Sequence, residues 1–124
     1  MANPETSPIS TQNTEHYIWG DQCDGWHLVQ NEQLSVIQER MPAGTTELRH
    51  FHSHSQQFFY VLSGEAVMEV DGKTVRLTPG TGTWIPAGTS HQLRNDSGAD
   101  VNFLLVSQPP SHGDRQIVAG SNGS

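Results

Sequence analysis

A chain of 124 residues, one third of them hydrophobic, is the size of a single domain and can bury a core without covalent staples. Its 13 acidic and 6 basic residues give a formal charge of −7, with no Lys/Arg run to follow a phosphate backbone, so nucleic acid is excluded as the expected partner. The single Cys23 excludes an internal disulfide, no charged-then-apolar leader opens the sequence, and apolar runs of about five residues fall far short of the ~20 a bilayer needs, so the expected setting is the cytoplasm with no membrane role.

Residues 1–15 (MANPETSPISTQNTE) are polar and aperiodic and read as a flexible N-terminal arm; one folded domain is expected over 16–111, and 112–124 reads as a C-terminal tail. An aromatic-rich stretch with Tyr17, Trp19, Trp26 and Leu28 comes next and is expected to pack on the domain or against a second subunit. Short β-rich runs then alternate with turn signals. Leu34 to Met41 precedes Pro42-Ala43-Gly44, Thr46 to His52 precedes a polar connection, and Phe58 to Leu62 ends at Ser63-Gly64. Ala66 to Val70 and Lys73 to Leu77 flank Asp71-Gly72, a dipeptide suited to the positive φ angles of a tight hairpin. Thr83 to Ile85, Ser90 to Arg94 and Val101 to Ser107 complete the set. No segment reads as a long helix, and many short strands at this spacing predict an all-β sandwich or barrel. For Leu34 to Met41 either alternation is compatible, so that Gln38 and Arg40, or else Glu39, point inward.

His50 and His52 are one residue apart, so in a strand both imidazoles leave the same face. Gln57 opens the next apolar run and, with His91 on a later strand, can return to the same pocket, a donor set able to hold a divalent ion. The surrounding pattern is more specific than the donors. Gly44, five residues, His50-Phe51-His52, four residues, Gln57, six residues and Gly64 form one motif. Gly80, five residues, Pro86-Ala87-Gly88, two residues, His91, three residues and Asn95 form another.

These two motifs resemble those of the cupin family, over roughly residues 34–107, with Gln57 standing where the family usually has Glu. The resemblance implies a double-stranded β-helix, or jelly-roll barrel. It also implies one divalent metal ion (Zn, Fe, Mn, Ni or Cu) on His50, His52, Gln57 and His91, and a homodimer, because similar cupins often pair through N-terminal strands. The amide in place of a carboxylate leaves a bound ion near +2 instead of +1. For unit charges ~4 Å apart at an effective dielectric of ~20 the difference reaches about 4 kcal/mol before screening, which favours Lewis-acid work on hydroxide, carboxylate, enolate or alkoxide. It also removes a candidate base, so proton transfer falls to water on the ion or to another pocket group.

By parity, Leu48 shares a face with His50 and His52, Phe59 and Val61 with Gln57, and Leu93 with His91; Trp84, Phe103 and Leu105 are further pocket candidates, all equally compatible with plain core. His54 either reaches the pocket mouth or sits in a loop, His112 either covers the pocket or lies in a surface turn, and His16 and His27 have no assigned role. No residue is singled out as catalytic. Three functions fit: a metal-dependent isomerase, lyase or cyclase acting on a small oxygenated molecule, a metal-dependent dioxygenase, and a non-catalytic small-molecule or sugar-binding protein. Uronate-processing proteins, polyketide cyclases and hydroxynitrile lyases are cupins with Gln at this position.

Overall fold

A computed structural model describes residues 7–118. Eleven strands form two antiparallel sheets: β1 (His16–Trp19), β2 (Cys23–Gln30), β3 (Ser35–Met41), β4 (His50–His52), β5 (Gln56–Ser63), β6 (Ala66–Val70), β7 (Lys73–Leu77), β8 (Gly82–Ile85), β9 (His91–Arg94), β10 (Val101–Gln108) and β11 (Arg115–Ile117). One sheet has six strands in the order β1-β2-β3-β10-β5-β8, and the other five in the order β11-β4-β9-β6-β7. This is the all-β jelly roll that the resemblance implied. Among the described residues there is no helix long and apolar enough to cross a membrane.

The sheets face each other across a core that alternation dictates. On β5 Phe59 and Val61 point inward while Phe58 and Leu62 are exposed, and on β10 Val101 and Phe103 are buried. Met41, Met68, Ile85 and Leu93 fill the space between. On β3 the parity left open by sequence resolves in favour of the odd positions: Ser35, Glu39 and Met41 are buried. Asp71 (φ 49) and Gly72 (φ 84) make the β6–β7 turn as expected. Gly64 is required twice over, by a φ of 79 and because a Cβ there would stand 2.2 Å from the Asp100 carbonyl oxygen.

Two expectations need correction. Thr46 to His52 is not one strand: β4 covers only His50–His52, and Thr46 makes an isolated bridge to Arg94. The cause is Glu47, whose backbone N–H donates to the Leu93 carbonyl (3.1 Å) while its own carboxylate accepts the Leu93 N–H (2.9 Å), taking the place of a ladder carbonyl. The segment expected as a tail from residue 112 includes β11, which pairs with β4 as the edge of the five-stranded sheet. At the other end, Glu15 accepts the His27 N–H (3.1 Å) and the Thr14 hydroxyl donates to the His27 carbonyl, tying the last residues of the expected arm to β2. Positions 1–6 and 119–124 lie outside the described residues.

Candidate metal centre

Strands β4 and β9 are neighbours with His50 opposite His91, and His52 leaves β4 on the same face as His50. The three imidazoles are buried, His91 completely, and one ring nitrogen from each lies within 4.8 Å of the other two. That spacing could hold a metal ion. Nδ1 of His50 donates to the Leu48 carbonyl (2.7 Å) and Nδ1 of His91 to the Thr89 carbonyl (3.0 Å), which assigns both tautomers and leaves each Nε2 with a lone pair. Burial holds all three rings unprotonated. The pKa of His50 falls from 6.5 to about 3, first through loss of water and then through the nearby His91, Arg115 and His52, against a raising contribution from the Leu48 carbonyl. His52 and His91 are lowered by the same leading cause.

Three buried polar atoms around this site have no hydrogen-bond partner: Nδ1 of His52, Nε2 of His91 and Oε1 of Gln57. Such orphans are costly in a dry interior, and a cation among the imidazoles would relieve those facing it. The Gln57 amide is oriented by its Nε2 donating to the Ser107 hydroxyl (3.0 Å) from β10, so the oxygen is the free end. The donor set therefore fits a divalent ion.

His50, His52 and Gln57 open on a cavity of about 190 Å3 that also meets Phe59, Leu105 and Trp19, with His91 buried behind them. Glu39 also lines it, one of the two alternatives left open for β3, and four more lining residues were not singled out as pocket residues from sequence: Tyr17, Glu47, Ser111 and Arg115. Burial, then the neighbouring negative Glu47, raises the Glu39 carboxyl to about 8, opposed by the Tyr17 hydroxyl, which donates to its Oε2 (3.2 Å), and by Arg115. Burial likewise raises Glu47 to about 7, although the Leu93 N–H and Arg115 pull it down. Tyr17 is pushed well above the ordinary phenol range by burial and by Glu39. A bound cation would draw these carboxyls back towards ionisation. The one available signal for Glu39 was its parity with Met41; Arg115 carried none, being in an apparent tail.

Of the pocket residues expected by parity, Phe59 and Leu105 line the cavity. Val61, Leu93 and Phe103 belong to the packed core. Leu48 is corrected: it is 41% exposed, because the Glu47 side-chain bond interrupts the alternation just before β4. Trp84 is corrected as well. It faces outward from β8, 61% exposed, with Nε1 donating to Gln56 Oε1 (3.0 Å). It lines a larger, open surface groove with His54, and neither the three clustered histidines nor Gln57 lines that groove. His112 lines a third depression with His27, beside Tyr17. His16 is paired with Asp24 (2.7 Å).

A family model described as a cupin domain matches residues 37–107. The oxalate-binding protein of Thermotoga maritima is 31% identical over 85 residues, covering 64% of this chain and 70% of its own length. Quercetin 2,3-dioxygenase of Bacillus subtilis is 35% identical over 65 residues, 52% of this chain but only 19% of the dioxygenase. Among solved structures, a cupin-superfamily sugar phosphate isomerase of Silicibacter pomeroyi superposes with a TM-score of 0.75 at 25% identity, covering 84% of this chain and 76% of that one.

Proposed function

Because the chain belongs to the cupin family, we propose that it is a divalent-metal enzyme acting on a small oxygenated organic molecule by Lewis-acid catalysis, as an isomerase, lyase or cyclase. One observation carries this reading: three buried neutral imidazoles cluster with ring nitrogens within 4.8 Å of one another, and two of them, His50 and His52, share the wall of a small cavity with Gln57, whose amide oxygen is unpartnered. Gln57 is the fourth ligand in this reading, and Zn, Fe, Mn, Ni or Cu all suit the donor set. The ion, when bound, supplies a charge of about +2 that polarises a ligand oxygen and favours developing negative charge. Phe59 and Leu105 limit water in the cavity, while Glu39 and Glu47, whose carboxyls burial raises to about 8 and about 7, are suited to give or take a proton. Likeness to a sugar phosphate isomerase supports the non-redox assignment.

Elemental analysis of protein purified without added metal tests it. Zinc, with turnover of a candidate substrate that disappears in His91→Ala, is the expected result; iron or copper with oxygen uptake on an enol or diketone, abolished by a chelator, would replace it with a dioxygenase. That second reading is favoured by the aligned stretch of quercetin 2,3-dioxygenase. A third, non-catalytic ligand binding, has the oxalate-binding relative in its favour and is excluded by any metal-dependent turnover. We further propose a cytoplasmic homodimer, for which Ile18, Phe58 and Trp84 offer exposed apolar surface; light scattering that finds only a 13.6 kDa species would overturn the dimer.

A further inference from the structure

Arg115 is opposite His52 in the β11–β4 ladder, and Ile117 is opposite His50. Side chains directly opposed in an antiparallel pair leave the sheet on one face with Cβ atoms about 4.5–5.5 Å apart, so the guanidinium shares the face of a candidate metal ligand and lines its cavity. The backbone that carries it is anchored. The Asp114 carboxylate accepts the N–H groups of Ser53, His54 and Ser55 at 3.1, 2.9 and 2.9 Å, and the Val118 N–H donates to the Arg49 carbonyl at 3.0 Å. Thus both sides of Arg115 are clipped to the segment that bears His50 and His52.

Arg40, Arg49, Arg76 and Arg94 each pair with a carboxylate, whereas among the described residues no carboxylate lies within 4.0 Å of Arg115. Glu39 and Glu47 share the cavity lining with it, near enough to feel its charge, but burial disfavours their anionic forms. His50, His52 and Gln57 on the remaining wall are neutral donors. A divalent ion would add its two positive charges to that of the guanidinium, offset by the ionisation it restores to Glu39 and Glu47, inside a chain of formal charge −7. Its 190 Å3 equals about six waters at liquid volume, room for a ligand of roughly six to eight non-hydrogen atoms. A guanidinium offers a planar pair of N–H donors that matches the two oxygens of a carboxylate.

We propose that the cavity receives a small organic carboxylate, and that Arg115 grips its carboxylate group while other oxygens of the same molecule face the imidazole cluster. The proposal rests on the metal-site reading above and names the substrate class which that reading leaves open. Arg115 is then a specificity-determining residue contributed by the last strand.

The test uses the full chain loaded with zinc, with zinc counted in every sample and malonate, its neutral diamide, inorganic phosphate and azide titrated calorimetrically. Malonate is expected to bind at least about tenfold more tightly than the diamide. Arg115→Gln is expected to weaken malonate about ten- to hundredfold and Arg115→Lys by less, while azide, which needs only the ion, changes by under about threefold. Equal malonate affinity in wild type and Arg115→Gln, an equal loss for azide, or phosphate bound more tightly than malonate through Arg115 would each overturn the assignment. Retention of zinc by Arg115→Gln separates these outcomes from failure of the metal site, which would appear as no zinc bound by the wild-type chain.

Discussion

The imidazole cluster and the rest of the cavity lining are built differently. In the cluster, His50, His52 and His91 come from two hydrogen-bonded strands, and their convergence follows from period-two alternation and a single cross-strand register. In the rest of the lining, Tyr17, Glu39, Glu47 and Arg115 come from β1, β3, an irregular loop and β11, elements drawn together only when the six-stranded sheet and the C-terminal edge strand are both complete. A donor group for a cation can be written into a short motif, whereas the groups that choose a ligand are assembled from the whole chain.

The comparison breaks most decisively at the imidazole cluster. His91→Ala is expected to abolish stoichiometric metal retention, a loss of more than about a hundredfold in affinity, measurable by equilibrium dialysis against a chelator, with the strands intact by circular dichroism. If His91→Ala keeps its metal, the cluster is not the binding site. Gln57→Glu should tighten retention by roughly tenfold, since a carboxylate adds attraction that an amide lacks, and should alter activity. Unchanged affinity would put Gln57 outside the ligand set.

The rest of the lining is probed through pH. In metal-free protein the Glu39 carboxyl titrates near 8, against 4.5 when exposed in the unfolded chain, so the unfolded state sheds this proton first. Its contribution to stability is fully present below about 4.5 and is lost as pH rises towards 8. Glu39→Gln should therefore raise the melting temperature of the metal-free protein at pH 8 by about a few degrees relative to wild type and leave it nearly unchanged at pH 4.5. Equal melting shifts at both pH values would show that burial does not govern this carboxyl. The smallest effect belongs outside the cavity: Trp84→Gln on the exposed face of β8 should change stability by under about 0.5 kcal/mol and metal affinity not at all, as followed by urea titration and dialysis.

Much of the architecture was readable in advance. Ala66–Val70 and Lys73–Leu77 matched residue for residue, because the Asp71-Gly72 turn pins the register of the hairpin it joins. Reading failed where a side chain replaced the backbone in the ladder. Glu47 took the Leu93 N–H, the strand shortened to His50–His52, and Leu48 turned outward although its parity matched that of the histidines. It failed again at residues 112–117, where Pro109, Pro110 and Gly113 gave the look of a tail; β11 exists because β4 has a free edge, and that edge is not visible from within the segment itself.

By itself, then, the amino-acid order determined an all-β chain and a trio of histidines spaced for one ion, since alternation and turn chemistry act over a few residues. Only the tertiary structure decided that Glu39 faces inward, that Glu47 and Tyr17 meet it there, and that Arg115 enters from the far end of the chain. Those choices depend on which strand lies beside which, a matter of long-range pairing that local spacing does not encode.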